Sequence, residues 1–166
     1  ARQLRLIYDS ARSLLARIND LLEFHRIEAG RYQRQAVWLQ PDELIAQLAA
    51  EHAERADEQG VKLVAEPGPT GVRIHSDANL IRRVLGELLD NAIRFGGPGQ
   101  VRLAVEAPAG QTTLRLEVSD PGTGWRADRG EQLARALDPQ ASDLERSYQG
   151  LGLGLALARE AARLPG

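Results

Sequence analysis

The sequence predicts an α/β sandwich, with a mixed, mostly antiparallel sheet carrying its helices on one face, preceded by a long α-helix. Three observations lead there. Apolar residues recur at alternating three- and four-residue spacing through residues 1–29, which is the mark of a helix with a heptad seam. Short apolar or alternating runs follow at 35–39, 61–65, 72–75, 101–106 and 112–119, interleaved with two amphipathic helical patterns. The strands arrive in neighbouring pairs with turn signals between them, as antiparallel strands do, and not in the strict strand–helix alternation of a doubly wound sheet.

In the first helix the seam is Leu4, Ile7/Tyr8, Ala11, Leu14/Leu15, Ile18 and Leu21/Leu22, with His25 next in phase, and Arg5, Arg12, Arg17, Asp20 and Glu23 lie opposite. A single helix cannot bury such a stripe, so a partner helix is implied. Gly30 supplies the left-handed residue that ends it. Pro41 opens the second helix at its first position, with Asp42 and Glu43 favourable in the first turn and Gly60 as its cap. Its apolar stripe is Leu44/Ile45 and Leu48/Ala49, then Ala53 and Ala56. Strands 61–65 and 72–75 are joined by Pro67-Gly68-Pro69-Thr70-Gly71, a strong turn signal. The third helix, 78–95, runs on Leu80/Ile81, Val84/Leu85, Leu88/Leu89 and Ala92/Ile93, with Asp77 as its N-cap. Gly96-Gly97-Pro98-Gly99 breaks it, and strands 101–106 and 112–119 then alternate as a hairpin around Ala107-Pro108-Ala109-Gly110. A stretch without periodicity, 125–149, precedes a last helix over 151–163.

Composition bounds the function. The 166 residues suit one domain with an appendage, and 43% hydrophobic content supports a core. A net charge of -2 gives no pull toward nucleic acid or anionic membrane, so no nucleic-acid partner is expected. The absence of Cys excludes disulfides, thiol catalysis and Cys-ligated zinc. No apolar run approaches the roughly 18 residues that span a bilayer, and no signal peptide opens the chain. Of the 21 basic residues only Lys62 is a lysine, which excludes a G-x-x-x-x-G-K-[ST] phosphate loop. Ala1 opens a chain with no Met, so an excised fragment is expected.

Three clusters carry chemistry. On the third helix Glu87 and Asn91 are four residues apart and share a face, with Arg94 close to it and Phe95 following. A carboxamide oxygen can ligate Mg2+, a carboxylate can hold or activate a water, and a guanidinium can meet phosphate. Asp120-Pro121-Gly122-Thr123-Gly124 follows a strand, so that a carboxylate able to accept from an exocyclic amine stands beside backbone that a flat ligand can approach closely. Gly150-Leu151-Gly152-Leu153-Gly154-Leu155 runs into a helix, with backbone N–H groups suited to phosphate. It lacks the spacing of a dinucleotide-binding fingerprint. Taken singly, each cluster also reads as ordinary structure: a solvated helix face, an Asp-Pro-Gly turn and a loop before a helix.

In this order and on these elements, the chain resembles the catalytic ATP-binding domain of bacterial sensor histidine kinases, a member of the Bergerat (GHKL) fold shared with the gyrase, MutL and heat-shock chaperone ATPases. Residues 87–95 resemble the family's N box, 120–124 its Asp-x-Gly-x-Gly box and 150–155 its second glycine box, which makes 125–149 the ATP lid. Asn19-Asp20-Leu21-Leu22 and Arg26-Ile27-Glu28-Ala29-Gly30 resemble the second helix of the dimerisation and phosphotransfer region. The resemblance divides the chain into that partial region, 1–30, and a catalytic domain, 31–166.

The resemblance implies ATP and Mg2+ as cofactors. Asn91 becomes the Mg2+ ligand with Glu87 beside the metal or its water; Arg94 and Phe95 lie by phosphate, ribose or base; and Asp120 binds the adenine amine. Gly122, Gly124, Gly150, Leu151, Gly152, Leu153 and Gly154 shape pocket and lid. Implied partners are the phosphotransfer helices of the same or a partner subunit, a response regulator, and a second copy in a full-length homodimer, at a cytoplasmic location even where the parent sensor is membrane-anchored.

Several positions depart from the family. Glu87 stands where many histidine kinases carry Asn, and Arg94 replaces a common Lys. In the lid, Ala136-Leu137-Asp138-Pro139-Gln140 has lost the family's aromatics. A Glu at position 87 serves water activation in the ATPase relatives, which keeps a related ATPase or an anti-sigma-type serine kinase open. The altered lid keeps open a degenerate nucleotide-binding or protein-interaction module. None of His25, His52 and His75 has the setting of a phospho-acceptor, so the accepted histidine is expected outside the fragment. Trp38 is expected in the core or in domain packing, Trp125 at the pocket or the lid hinge, and Lys62 exposed on its strand.

Overall fold

The computed structural model describes residues 29–108 and 113–124, together with residues 8, 11, 14, 15, 18, 19, 22, 25–27, 158 and 161. The chain divides into two compact units, Arg34–Gly130 and a second made of Ala1–Gln33 with Glu131–Pro165. In the second unit every described residue from 8 to 27 is helical, and Gly30 ends that helix at φ +64°. The Gly30 and Arg31 N–H groups return to the Ile27 and Arg26 carbonyls at 3.0 and 2.8 Å, the paired closure of a left-handed glycine cap. Tyr8, Leu14, Leu15, Ile18 and Leu22, all on the expected seam, are 46–61% exposed, whereas Ile27 is buried.

The unit Arg34–Gly130 holds, in order, β1 (Ala36–Leu39), α1 (Pro41–Glu58), β2 (Val61–Glu66), β3 (Ile74–Asp77), α2 (Ala78–Phe95), β4 (Gly99–Glu106) and β5 (Arg115–Ser119). Local chemistry accounts for the helix ends. Pro41 starts α1, and the chain leaves it through Gly60 at φ +67°. At the head of α2, Asp77 Oδ1 accepts the Asn79 and Leu80 N–H groups at 3.0 and 3.1 Å. Its Oδ2 accepts the Gln35 N–H at 2.8 Å, and the side chain is 1% exposed. One carboxylate therefore caps the helix and pins the segment entering β1.

The strands form two ladders. β1 pairs antiparallel with β3, Trp38 opposite His75. β2 pairs parallel with β4 and β4 pairs antiparallel with β5, Leu103 opposite both Ala65 and Val118. The 67–71 turn therefore does not fold β2 onto β3; it carries the chain from one ladder to the other, and α2 brings it back as β4 beside β2. The pairing is mixed and mostly antiparallel, as the sequence predicts.

The core lies between the helices and one face of the three-stranded sheet. α1 contributes Leu44, Ile45 and Leu48, α2 contributes Leu85, Leu89, Ala92 and Ile93, and β4 contributes Val101, Leu103 and Val105. Each large side chain buried there stabilises the fold by about 1.5–3 kcal/mol. The other face of that sheet is polar. Arg102 on β4 meets Glu66 at 2.6 Å, Glu117 at 3.1 Å and Glu106 at 3.2 Å. Its hydrogen bonds to the Glu66 and then the Glu106 carboxylate raise its guanidinium pKa above the ordinary value.

Of the two places expected for Trp38, the core is not the one it takes. Leu39 takes the inward position on β1, and Trp38 lies 61% exposed, its ring 5.2 Å from His75 and 5.8 Å from the Arg73 guanidinium. Lys62 is exposed as expected. Among the described residues, no helix is long and apolar enough to cross a membrane.

Candidate functional site

The site is built on α2 and on the turn after β5. Successive residues of a helix are about 100° apart, so α2 has distinct flanks. Its core side carries Leu85, Leu89, Ala92 and Ile93. The flank toward α1 is held by ion pairs: Arg82 donates to Glu51 and Gln47, each at 2.7 Å, and Asp90 accepts from Arg55 at 2.5 Å, with His52 Nε2 at 3.5 Å. The opposite flank, at spacings of three and four, carries Val84, Leu88, Asn91 and Phe95. Val84, Leu88 and Asn91 are half-buried, and Phe95 is 68% exposed.

Asn91 Nδ2 donates to the Glu87 carbonyl one turn earlier at 2.8 Å. With its nitrogen engaged within the helix, the carboxamide has its oxygen to offer a hard cation. The next turn brings Arg94, whose guanidinium lies 5.0 Å over the Phe95 ring. That contact steadies an exposed cation at the end of the helix.

Five residues beyond Asn91, or about 7.5 Å of helix rise, α2 stops at Gly96, whose N–H returns to the Ala92 carbonyl at 2.9 Å. A Cβ on Gly96 would sit 2.5 Å from the Ala92 carbonyl oxygen and 2.9 Å from Asp120 Cβ. A Cβ on Gly122 would sit 2.5 Å from Asp120 Oδ1 and 3.2 Å from Gly96 Cα. A side chain at 96 meets backbone and one at 122 displaces the Asp120 carboxylate, so the absence of both lets the end of α2 rest against the 120–122 turn. Asp120 Oδ1 accepts the Gly122 N–H at 2.8 Å, which fixes one carboxylate oxygen and leaves Oδ2 as the acceptor for an exposed donor. Pro121 Cγ fills the space where Gly99 would carry a Cβ, at 2.8 Å, and Gly124 turns the chain at φ +66°.

Asn91, Arg94 and Phe95 thus lie in the last turns of α2, whose end at Gly96 packs against Asp120 and Gly122, with Gly124 two residues further along the chain. Glu87 is not wholly one of them. Its backbone carbonyl serves Asn91, but its carboxylate lies 3.6 Å from Arg83 and borders an open groove of about 300 Å3 between α1 and α2. Gly150, Leu151, Gly152, Leu153, Gly154, Trp125 and the 125–149 segment lie outside the described residues. Sequence reasoning treated Gly96 as a helix breaker and overlooked its contact with Asp120; the unusual Gly96-Gly97-Pro98-Gly99 run was the available signal.

Residues 76–166, more than half of the chain, match the family described as histidine kinase-, DNA gyrase B-, and HSP90-like ATPase. The chain belongs to that family. Within it, the chain is similar to sensor histidine kinases. It is 34% identical to a sensor-like histidine kinase of Rhizobium meliloti over 97% of its own length and 30% of that protein's. It is 30% identical to the histidine protein kinase DivJ of Caulobacter vibrioides over its whole length and 28% of that protein's. The chain therefore spans less than a third of either curated relative. Among solved structures, full-length ShkA in complex with AMPPNP matches with a TM-score of 0.78 at 26% identity, over 98% of this chain and 34% of ShkA. The Acinetobacter baumannii histidine kinase AdeS shares the fold, with a TM-score of 0.73 at 19% identity over 95% of this chain and 71% of that one.

The residues of this histidine kinase-like ATPase domain fit a magnesium nucleotide. Among the described residues, no group of three or more His, Cys, Asp or Glu side chains could hold a metal ion. The donor that the Asn91 flank offers is a neutral carboxamide oxygen, which suits a Mg2+ ion carried largely by phosphates. At the other end of the site, the bare backbone of Gly96 and Gly122 beside the Asp120 carboxylate suits the edge of a flat base bearing an amine.

Proposed function

We propose that this chain binds Mg2+–ATP as the catalytic domain of a two-component sensor histidine kinase and delivers the γ-phosphoryl group to a histidine outside residues 1–166. The observation that carries this reading is the joint between α2 and the β5 turn. Gly96 and Gly122 bring the end of the helix bearing Asn91 against the turn bearing Asp120, which supports assigning metal ligand and base acceptor to one site. The AMPPNP held by ShkA lends further support.

Each residue has a role in this reading. Asp120 accepts the adenine amine through Oδ2 while the Gly122 N–H holds Oδ1 in place. Phe95 offers its exposed ring to ribose or base, and Arg94, steadied on that ring, faces the phosphates. Asn91 supplies an oxygen to Mg2+, which when bound neutralises phosphate charge. Gly150, Leu151, Gly152, Leu153 and Gly154 close the phosphate end, and 125–149 forms the lid. The remaining chemistry is positioning and charge stabilisation. The Arg83 contact draws the Glu87 carboxylate toward α1, which favours phosphoryl transfer over water activation by Glu87.

Residues 1–30 act in this reading as the second helix of the phosphotransfer region and 31–166 as the catalytic domain. The partners are phosphotransfer helices of the same or a second subunit in a homodimer and a response regulator, with the domain in the cytoplasm. The test is AMPPNP binding by calorimetry in excess Mg2+. The expected result is saturable binding, weakened about tenfold or more by Asn91→Ala and by Asp120→Ala, the loss of one charge-assisted or metal contact. Unchanged binding in both variants refutes the reading. Acid-labile phosphohistidine on the full-length protein tests the transfer step.

A further inference from the structure

We infer that Arg83 is a positioning residue that keeps the Glu87 carboxylate off the metal site, so that the nucleotide's cation meets a neutral ligand from α2 instead of an anionic one. The inference rests on the proposed role of Asn91 and deepens it. Glu87 and Asn91 are one turn apart, and the Asn91 amide is bonded to the Glu87 carbonyl at 2.8 Å. A carboxylate so close on the same helix reaches the cation beside Asn91 by rotation of its own side chain, without backbone movement. In the structure it points elsewhere, 3.6 Å from Arg83 Nη2 and against the α1–α2 groove.

The neighbouring pairs show which of these contacts can give. Three acids border that groove, and each has its arginine. Glu51 is 2.7 Å from Arg82 and Asp90 is 2.5 Å from Arg55, both pairs bridging α1 and α2. The Glu87 pair lies within α2 alone and is the longest of the three. It also runs from Arg to Glu along the helix, the weaker order for such a pair. The first two contacts join the helices, whereas the third joins two side chains of α2 and bears on the direction of the Glu87 carboxylate. That direction matters because Mg2+ binds a carboxylate more tightly than a carboxamide. With Glu87 withdrawn, the cation is held chiefly by the phosphates and leaves with them.

The test separates metal dependence from site integrity. ADP affinity is measured by calorimetry on the chain in excess Mg2+ and again in EDTA, and the dissociation constant in EDTA is divided by that in Mg2+. Arg83→Ala is expected to raise that ratio about fivefold, the scale of one added partly exposed charge interaction. Arg83→Lys retains the wild-type ratio, and Arg83→Ala combined with Glu87→Gln returns to it. A purely structural Arg83 would move both constants together and leave the ratio unchanged. An unmoved ratio in Arg83→Ala overturns the inference, as does a raised ratio that survives Glu87→Gln. A wild-type chain that binds no ADP in Mg2+ refutes the proposed function and this inference together, whereas a binding chain with an unmoved ratio refutes the inference alone.

Discussion

Gly122→Ala tests the joint on which the site depends. The new Cβ would lie 2.5 Å from Asp120 Oδ1, 3.2 Å from Gly96 Cα and 3.4 Å from the Gly96 carbonyl oxygen. The two backbone contacts are tight but tolerable. The carboxylate contact is not, and a side-chain end can swing away. In doing so it gives up the 2.8 Å bond from the Gly122 N–H. One such hydrogen bond contributes about 0.5–1.5 kcal/mol to stability, or a fall in Tm of a few degrees for a domain of this size. The cost to binding is larger. An acceptor turned away from an amine forfeits a charge-assisted bond of about 1.5–3 kcal/mol, roughly tenfold to 150-fold in dissociation constant. Calorimetry with AMPPNP and a thermal melt on the same sample read both effects. Nucleotide affinity within about twofold of wild type, alongside a lowered Tm, would falsify the reasoning, because the joint would then serve stability alone. Gly96→Ala is the contrasting case. Its Cβ would meet the Ala92 backbone carbonyl oxygen at 2.5 Å, which no side-chain rotation relieves, so stability falls by about 1–3 kcal/mol.

Three further outcomes are expected. Asp77→Ala removes the acceptor of three backbone N–H groups at a side chain 1% exposed; urea denaturation should register a loss of about 2–4 kcal/mol, with Asp77→Asn losing about half as much. Leu89→Ala opens a cavity at a fully buried position between α2 and the sheet, and the same titration should show about 2–5 kcal/mol lost. Arg102→Gln should lower Tm slightly in dilute buffer, and the difference should shrink as salt screens Glu66, Glu106 and Glu117. Because the folded pKa of Arg102 is raised, its contribution is complete below the ordinary guanidinium value and disappears only as pH climbs through the raised one. The Arg102→Gln difference should therefore carry no guanidinium titration between about pH 5 and 9.

The parts that local chemistry dictates were legible in the sequence. Pro41 and Gly60 bracket α1, Asp77 begins α2, and Gly96 ends it; each acts on its immediate neighbours. Pairing was less legible, since a turn such as 67–71 announces a change of direction but not a partner. β2 takes β4 as its neighbour because α2 delivers the chain there. Of the two places expected for Trp38 the core fails, because alternation along β1 sets Val37 and Leu39 on one face and Trp38 on the other, and Leu39 is the one that packs on the core. Asn91 and Asp120, the two residues on which the proposed site rests, are marked in the sequence by residue type and by the motifs around them. The direction of the Glu87 side chain is not, since helical spacing puts Glu87 near Arg83 and Asn91 alike and only the folded side chains show it 3.6 Å from Arg83.

Asp77 has a mechanical consequence. Gln35 is where the polypeptide enters β1, and its amide hangs from the same carboxylate that anchors the first turn of the helix carrying Asn91. A tug or twist applied to the strand's leading end is felt at once at the root of α2, through this bond as well as through the β1–β3 ladder. Any displacement of Gln35 is thus passed to a helix whose far end packs at Gly96 against Asp120, so the entry to β1 and the helix bearing Asn91 are joined through a single buried side chain.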